Sequence, residues 1–197
     1  MRARGLRLSG AILAMLLASC GGGGGAATPT AVATPTPVPV TSFAGNWSGT
    51  YTITSCGHSG VFADANWCGT LSYTPLPINL VLTQSGSSVS GTLLQGTIAT
   101  SVTGTVDATS HLILNGSTVL SGSILAEILA WNTTVSGNAM AGSWNTKWST
   151  AGSVGSAQTV NTLSGVTKTS LGGGAVVRLS RRDGVTIQDI PELLRAQ

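Results

Sequence analysis

The residues best suited to acid–base or nucleophilic chemistry are concentrated in one short stretch of this 197-residue chain. His58 and Asp64 are residue types that transfer protons in catalysis, and Ser59 places a hydroxyl beside them. A hydrolase that uses this stretch is therefore one hypothesis. Two further acids, Asp107 and Glu127, are separated from it by whole predicted strands, so no pair of carboxylates is expected to share a substrate.

The segment Gly57-His58-Ser59-Gly60-Val61 resembles a nucleophile elbow, the sharp turn between a strand and a helix that exposes a catalytic serine. That motif ends in glycine, whereas this segment ends in Val61. We also expect the segment to lack the strand-to-helix context that the motif needs. We therefore predict no catalytic residue and treat an enzyme as the weaker hypothesis. Asp107 is interpreted as a turn residue.

The chain starts with the features of an export signal. Arg2, Arg4 and Arg7 supply positive charge without an acid, and the apolar run Leu8 to Ala18 follows. As a helix, that run reaches about 16 Å, about half of the hydrocarbon core of a membrane. A permanent transmembrane helix is therefore not expected, and residues 1–19 are predicted to be a signal peptide.

The apolar run ends in Leu17-Ala18-Ser19-Cys20, which resembles the lipobox of bacterial lipoproteins. In that family the cysteine receives a diacylglyceryl group and the signal peptide is cut off in front of it. The resemblance implies that lipid on Cys20 holds the mature protein at the cell envelope, because two or more acyl chains bind a membrane stably. In Gram-negative lipoproteins an aspartate directly after the cysteine usually signals retention in the inner membrane. Because Gly21 stands there, the resemblance favours the outer membrane if the host is Gram-negative. An ordinary cleaved signal is the alternative, and it would leave a lone thiol.

Residues 20–43 are predicted to form a disordered tether. A glycine run at 21–25 is followed by a stretch rich in threonine and proline. Such a composition buries too little apolar surface to order itself. The proline-rich half advances about 3.1 Å per residue in the polyproline form, so the tether can hold a domain several tens of ångströms from the bilayer.

The charge balance argues against a nucleic-acid partner. Removal of the signal peptide takes away three of the nine basic residues, and the six that remain balance the six acids. A neutral chain has no basic stripe for phosphates. The surface is therefore expected to consist of Ser, Thr, Asn and Gly, and a structural or adhesive envelope protein that acts through this surface is the runner-up hypothesis. Only five charged residues lie between positions 45 and 170: Asp64, Asp107, Glu127, Lys147 and Lys168.

Two cysteines remain once Cys20 carries lipid. Because an exported chain meets an oxidising compartment, we predict that Cys56 and Cys68 form a disulfide. A bridge of this spacing contributes about 3 kcal/mol in the loop-entropy model. A zinc site is the alternative, but two thiols and His58 are one ligand short of a closed site. No metal and no cofactor is predicted.

Alternation of apolar and polar residues predicts an all-β domain over residues 44–182, with a short helical tail at 183–197. Residues 80–93 and 131–144 align with each other, and each is interpreted as a strand, a Ser-Gly turn and a returning strand. Further turns are expected at 107–110 and 115–117. The spacing favours an antiparallel up-and-down meander of about eight strands.

Two segments near the end of the domain are less regular. Residues 124–130 also fit a short helix but are assigned to a strand, and 190–196 are assigned to a terminal helix. Residues 175–180 are expected to close the sheet beside the first strand. Closure is expected because strands with glycine at inward positions coil tightly, as a small barrel requires. Those positions are Gly49, Gly91, Gly104 and Gly142.

The opening Gly45-Asn46-Trp47 and the repeated Ser-Gly-Thr hairpins resemble the up-and-down barrels of the lipocalin and avidin superfamily. The resemblance implies architecture and not biotin binding. Aromatic residues on the predicted inner face are either core or the lining of a cavity left by the inward glycines, which would hold a small apolar ligand. The leading hypothesis is thus a non-catalytic, lipid-anchored barrel that could bind such a ligand. The candidate ligand-binding residues are Trp47, Tyr51, Trp131, Trp144 and Trp148.

Overall fold

The structure, a computed structural model, describes residues 41–121, 123–152, 154–169 and 184–196. These residues form a closed barrel of eight antiparallel strands, each paired with the next along the chain. The predicted all-β up-and-down barrel is confirmed, and its architecture is consistent with a lipocalin-like fold. The strands are β1 (Gly45–His58), β2 (Leu76–Ser85), β3 (Ser88–Gln95), β4 (Ile98–Val106), β5 (His111–Leu120), β6 (Ile124–Ser136), β7 (Ala139–Thr150) and β8 (Ser156–Thr169). The helices are α1 (Val61–Asp64) and α2 (Trp67–Thr70), which join β1 to β2, and α3 (Ile190–Arg195).

Alternating burial explains why these segments are strands. In β1 the side chains of Trp47, Tyr51 and Ile53 are buried, whereas the residues between them are half-buried. Each strand therefore has one mainly apolar face, and closing the sheet covers all of these faces together. The assignment of residues 124–130 to a strand is confirmed, as is the terminal helix.

The two aligned stretches of sequence form the hairpins β2–β3 and β6–β7. Gly86 and Gly137 have φ of 58° and 60° at these turns, a left-handed conformation that glycine adopts without steric cost. The turn at 107–110 is confirmed, but the turn predicted at 115–117 is wrong. Asn-Gly-Ser is typical of a turn, yet Gly116 lies within β5 and is paired with the strands on both sides.

β1 closes the barrel because both of its edges are paired. From Asn46 to His58 its second edge is bonded to β8, with two irregularities in register. The segment 175–180, which we expected at this place, lies outside the described residues. β8 is harder to recognise as the closing strand because the inward residues Thr159 and Asn161 are polar and interrupt the apolar alternation.

The inward glycines allow neighbouring backbones to approach closely. A Cβ atom added at Gly104 would overlap the carbonyl oxygen of Ile113, and one added at Gly91 would overlap that of Val81. The close approach of neighbouring strands that inward glycines predict is therefore confirmed. The space beside these glycines is filled by the adjacent strand, so they do not open a cavity.

One end of the barrel, the helical end, is covered by α1, α2 and the segment that contains α3. The backbone N–H of Thr97 donates to the carbonyl of Leu193 (2.9 Å), and Nε1 of Trp67 donates to the carbonyl of Ile187 (3.0 Å). Apolar side chains from all three helices are buried here. They are Phe62, Trp67, Ile190, Leu193 and Leu194.

The opposite end, the hairpin end, carries the turns β2–β3, β4–β5 and β6–β7. Phe43 is fully buried there. Its N–H donates to Oε1 of Gln84 (2.7 Å), and its carbonyl accepts from Nε1 of Trp47 (2.8 Å). The packed domain therefore begins before residue 44, the predicted boundary. Residues 1–40, with the predicted signal peptide and Cys20, lie outside the described residues.

Candidate functional site

The predicted disulfide between Cys56 and Cys68 is confirmed, with Cα atoms 5.8 Å apart. It ties the end of β1 to α2. Nδ1 of His58 accepts a hydrogen bond from the backbone N–H of Cys68 (3.2 Å). In a neutral imidazole the other nitrogen then carries the proton, so the lone pair that could act as a base is already used to hold the loop.

Residues 57–61 do lie between a strand and a helix, contrary to our expectation, because β1 ends at His58 and α1 begins at Val61. That helix is a single turn, formed as Phe62 packs beneath the helical end. The hydroxyl of Ser59 donates to the carbonyl of Ser156 (3.3 Å), and no hydrogen bond joins His58 to the exposed Asp64. This stretch thus lacks the paired nucleophile and base that hydrolysis needs.

The five candidate aromatic residues lie together in the barrel core, and none is more than 1% exposed. Trp144 is central: its ring centroid lies 4.7 Å from that of Trp131 and 5.2 Å from that of Tyr51. Trp148 contacts Trp67 of α2 at 6.0 Å. Rings covered so completely leave no room for a water-sized molecule against them, so the packing favours their interpretation as core residues. A ligand at these rings stays a prediction.

A buried polar cluster lies among these rings, and no motif in the sequence points to it. Thr146 Oγ1 lies 3.1 Å from Nδ2 of Asn161, 3.2 Å from Nε1 of Trp144 and 3.5 Å from Nε2 of Gln95. In the sequence, an inward Gln, Thr or Asn interrupts the alternation of apolar and polar residues along its strand. The signal that could have revealed them is their occurrence at inward positions of three different strands.

Two polar atoms near this cluster have no hydrogen-bond partner within the described part of the chain: the Tyr51 hydroxyl and Nε1 of Trp148. Burial raises the pKa of the Tyr51 hydroxyl well above its ordinary value, and the neighbouring Gln95 amide offsets only part of the rise. Tyr51 therefore stays neutral. A buried polar atom without a partner is unusual in a folded protein.

The outer face of the barrel is almost uncharged. Strands β1 to β5 contain no Asp, Glu, Lys or Arg. On the remaining strands Lys147 and Glu127 form an ion pair (3.6 Å), and Nζ of Lys168 lies 5.5 Å from the centroid of the Trp47 ring. The nearly neutral exterior is formed mainly by Ser, Thr and Asn side chains, with a few exposed apolar residues among them, such as Val81, Ile113 and Val119.

Among the described residues, no helix combines the length and apolar character that crossing a membrane requires. The same ranges contain no group of three or more His, Cys, Asp or Glu side chains placed to hold a metal ion. The fold and core define an up-and-down antiparallel barrel with a packed interior. No family model, no curated protein and no solved structure matches this chain.

Proposed function

We propose that this chain is a non-catalytic envelope lipoprotein whose barrel acts through its outer surface. The proposal that the barrel acts through its outer surface rests on the packing of its interior. Tyr51, Trp131 and Trp144 fill this interior with rings in mutual contact. The exterior, in contrast, presents hydroxyl side chains on every strand. A surface of this kind suits contact with another polar molecule outside the cell membrane.

The first half of the proposal rests on Leu17-Ala18-Ser19-Cys20. Lipid on Cys20 would anchor the chain, in the outer membrane if the host is Gram-negative. The neutral mature sequence offers no electrostatic attraction to anionic lipids, so the acyl chains would supply the attachment. The tether would then display the barrel away from the bilayer.

Anchoring is tested by replacing Cys20 with serine in the full chain and labelling cells with an alkyne analogue of palmitate. The label should be lost, and the protein should leave the membrane fraction. The matched control replaces Cys56 and Cys68 with serine, which removes two cysteines without touching the lipid acceptor and should leave labelling intact. Label that persists in Cys20→Ser would overturn the anchoring proposal.

A small ligand in the interior is the second candidate, and the unpartnered Tyr51 hydroxyl and Trp148 N–H favour it. The rings around these atoms would have to move apart to admit it, since neither side chain is more than 1% exposed. An unsatisfied buried polar atom costs about 1–3 kcal/mol, which a bound molecule with a donor and an acceptor would recover. Native mass spectrometry of the purified full chain tests this. A retained small molecule that is lost in Tyr51→Phe would support an interior ligand. If neither protein carries a bound molecule, function through the outer surface is favoured.

A further inference from the structure

A shallow trough of about 560 Å³ crosses the outer face of β2, β3 and β4 near the hairpin end. Its floor is the backbone of three residues paired across these strands, Gln84 with Val89 and Val89 with Gly104. No side chain rises from this floor. Val89 is buried, Gly104 has none, and the Gln84 amide turns towards the backbone of Phe43 and Thr41.

Two ranks of exposed hydroxyl side chains form the walls of the trough. Neighbours within a rank are paired across adjacent strands, so their backbones lie about 4.8 Å apart, and the ranks are separated by two residues, about 6.7 Å. The result is a grid of two by three hydroxyls. Its members are Thr83, Ser90 and Thr103 on one side and Ser85, Ser88 and Thr105 on the other.

Half of these six hydroxyls are free for a ligand. The hydroxyls of Ser85, Ser88 and Thr105 make no hydrogen bond to any described residue. The Thr83 hydroxyl donates to the Ser90 carbonyl (3.1 Å) and lies 3.0 Å from the Ser90 hydroxyl, and the Thr103 hydroxyl donates to Oδ1 of Asn115 (3.5 Å). These three hydroxyls keep lone pairs that can accept a further bond, since a hydroxyl has one proton and two lone pairs. The trough therefore offers donors and acceptors together.

The absence of charge limits what the trough can bind. An anionic polymer needs Lys or Arg, and the three strands contain neither. Protein partners are anchored by Trp, Tyr or Arg, and none of these lines the trough. Asp107, two positions beyond Thr105, accepts hydrogen bonds from Thr109 and His111 that stabilise its negative charge, and this charge further disfavours an anionic ligand. A neutral molecule that itself has many hydroxyls meets these restrictions.

We propose that this trough binds a strand of a neutral glycan, laid across β2, β3 and β4. Successive sugar rings of an extended glycan repeat over a distance close to the strand spacing, so that each ring would face one pair of hydroxyls. The proposal rests on the proposed function, in which the outer surface is the working surface, and it names the partner of that surface.

The binding should be weak at a single site. No aromatic ring lies in the trough to stack on a sugar, and each new hydrogen bond replaces one to water, so a dissociation constant of the order of 1 mM is expected. Many lipid-anchored copies facing one glycan surface would bind far more tightly through avidity. A weak site on a membrane-anchored protein is therefore consistent with an adhesive role.

The test is affinity electrophoresis of the full-length protein in detergent through gels that contain a polysaccharide. Three neutral probes are used, hydroxyethyl cellulose, a β-1,3-glucan and a mannan, with polygalacturonate as the anionic probe. The trough variant replaces Ser88 and Ser90 with alanine. The matched control replaces Thr134 and Ser136 with alanine. These are two exposed residues with the same spacing on β6. Near-ultraviolet circular dichroism verifies that both variants keep the packed core.

At least one neutral polysaccharide should retard the wild-type protein and the control variant, and the trough variant should lose about tenfold in affinity. Equal retardation of both variants would overturn the trough as the site. Retardation by polygalacturonate alone, or by none of the probes, would overturn the neutral glycan. Either failure leaves palmitate labelling at Cys20 unaffected, so it can be told apart from a failure of the anchoring proposal.

Discussion

The phenol ring of Tyr51 on β1 packs against the indole of Trp144 on β7, with ring centroids 5.2 Å apart. Trp144 in turn contacts Trp131 on β6 at 4.7 Å. Rings from three strands are thus in contact through the interior, in addition to the hydrogen bonds along the strand edges. Each such pair contributes about 0.5–1.5 kcal/mol beyond its buried area.

Replacing Trp144 with alanine should lower the free energy of unfolding by about 3–5 kcal/mol, because it removes a fully buried ring and leaves a cavity. Guanidinium unfolding measures the change. Trp144→Phe should cost less, since it keeps a ring while losing the bond to Thr146. The control is Val154→Ala at an 89% exposed position, which should stay within about 0.5 kcal/mol of wild type. Similar losses in Trp144→Ala and Val154→Ala would contradict a packed core.

Gly104→Ala should destabilise the barrel by about 1–3 kcal/mol, because the added methyl group must displace the backbone of Ile113. Gly57 in β1 is the matched control. A methyl group added there would meet no atom within 4 Å, and the φ of Gly57 is not in the left-handed region. Gly57→Ala should therefore be neutral or slightly stabilising. Equal thermal midpoints for the two variants would show that the strands do not approach closely at Gly104.

Loss of the disulfide between Cys56 and Cys68 should cost about 2–4 kcal/mol, because the bridge constrains the unfolded chain. The double serine variant and the reduced wild-type protein should have the same lowered thermal midpoint. A reductant should leave the midpoint of the variant unchanged. If reduction shifts wild type and variant alike, the stabilisation has another source.

Asp107 should make stability depend on pH in acid. Hydrogen bonds from the Thr109 hydroxyl and from the His111 and Thr109 backbones hold the pKa of this carboxyl below its ordinary 3.8. A pKa that is lower in the folded state contributes stability above 3.8, and this contribution is lost as the pH falls through the folded value. Urea midpoints from about pH 7 to about pH 2.5 should therefore show wild type above Asp107→Asn at neutral pH and approaching it in acid.

Asp189 is a second carboxyl with the same behaviour, since the backbone and hydroxyl of Thr186 lower its pKa. The comparison with Asp107→Asn is therefore best made in an Asp189→Asn background. A gap between the two proteins that stays constant across the whole acid range would contradict the role of the Asp107 charge.

The parts of the fold that could be predicted are those where an apolar face alternates cleanly with a polar one. β1, the two hairpins and α3 are of this kind. β8 was missed as the closing strand because Thr159 and Asn161 point inward, where they join a polar cluster that only the closed barrel brings together. Gly116 was assigned to a turn because Asn-Gly-Ser favours one locally, but pairing on both edges of β5 is the stronger determinant.

The candidate site was harder to predict than the fold. The aromatic residues were placed on the inner face correctly, but the sequence could not show that they fill it, because filling depends on how closely eight strands approach. The trough on β2 to β4 is formed by the register in which these three strands pair. Thr83, Ser90 and Thr103 lie on three successive strands, and only the pairing of these strands brings them into one rank.

All five tryptophans of the chain lie in the core, each 1% exposed. Intrinsic fluorescence is therefore a report on the integrity of the barrel, with emission at short wavelength while the rings stay dry. The outer trough contains no fluorophore, so glycan addition should leave the emission spectrum unchanged. Intrinsic tryptophan fluorescence therefore reports unfolding but not glycan binding. Binding to the outer surface must be followed with an added label.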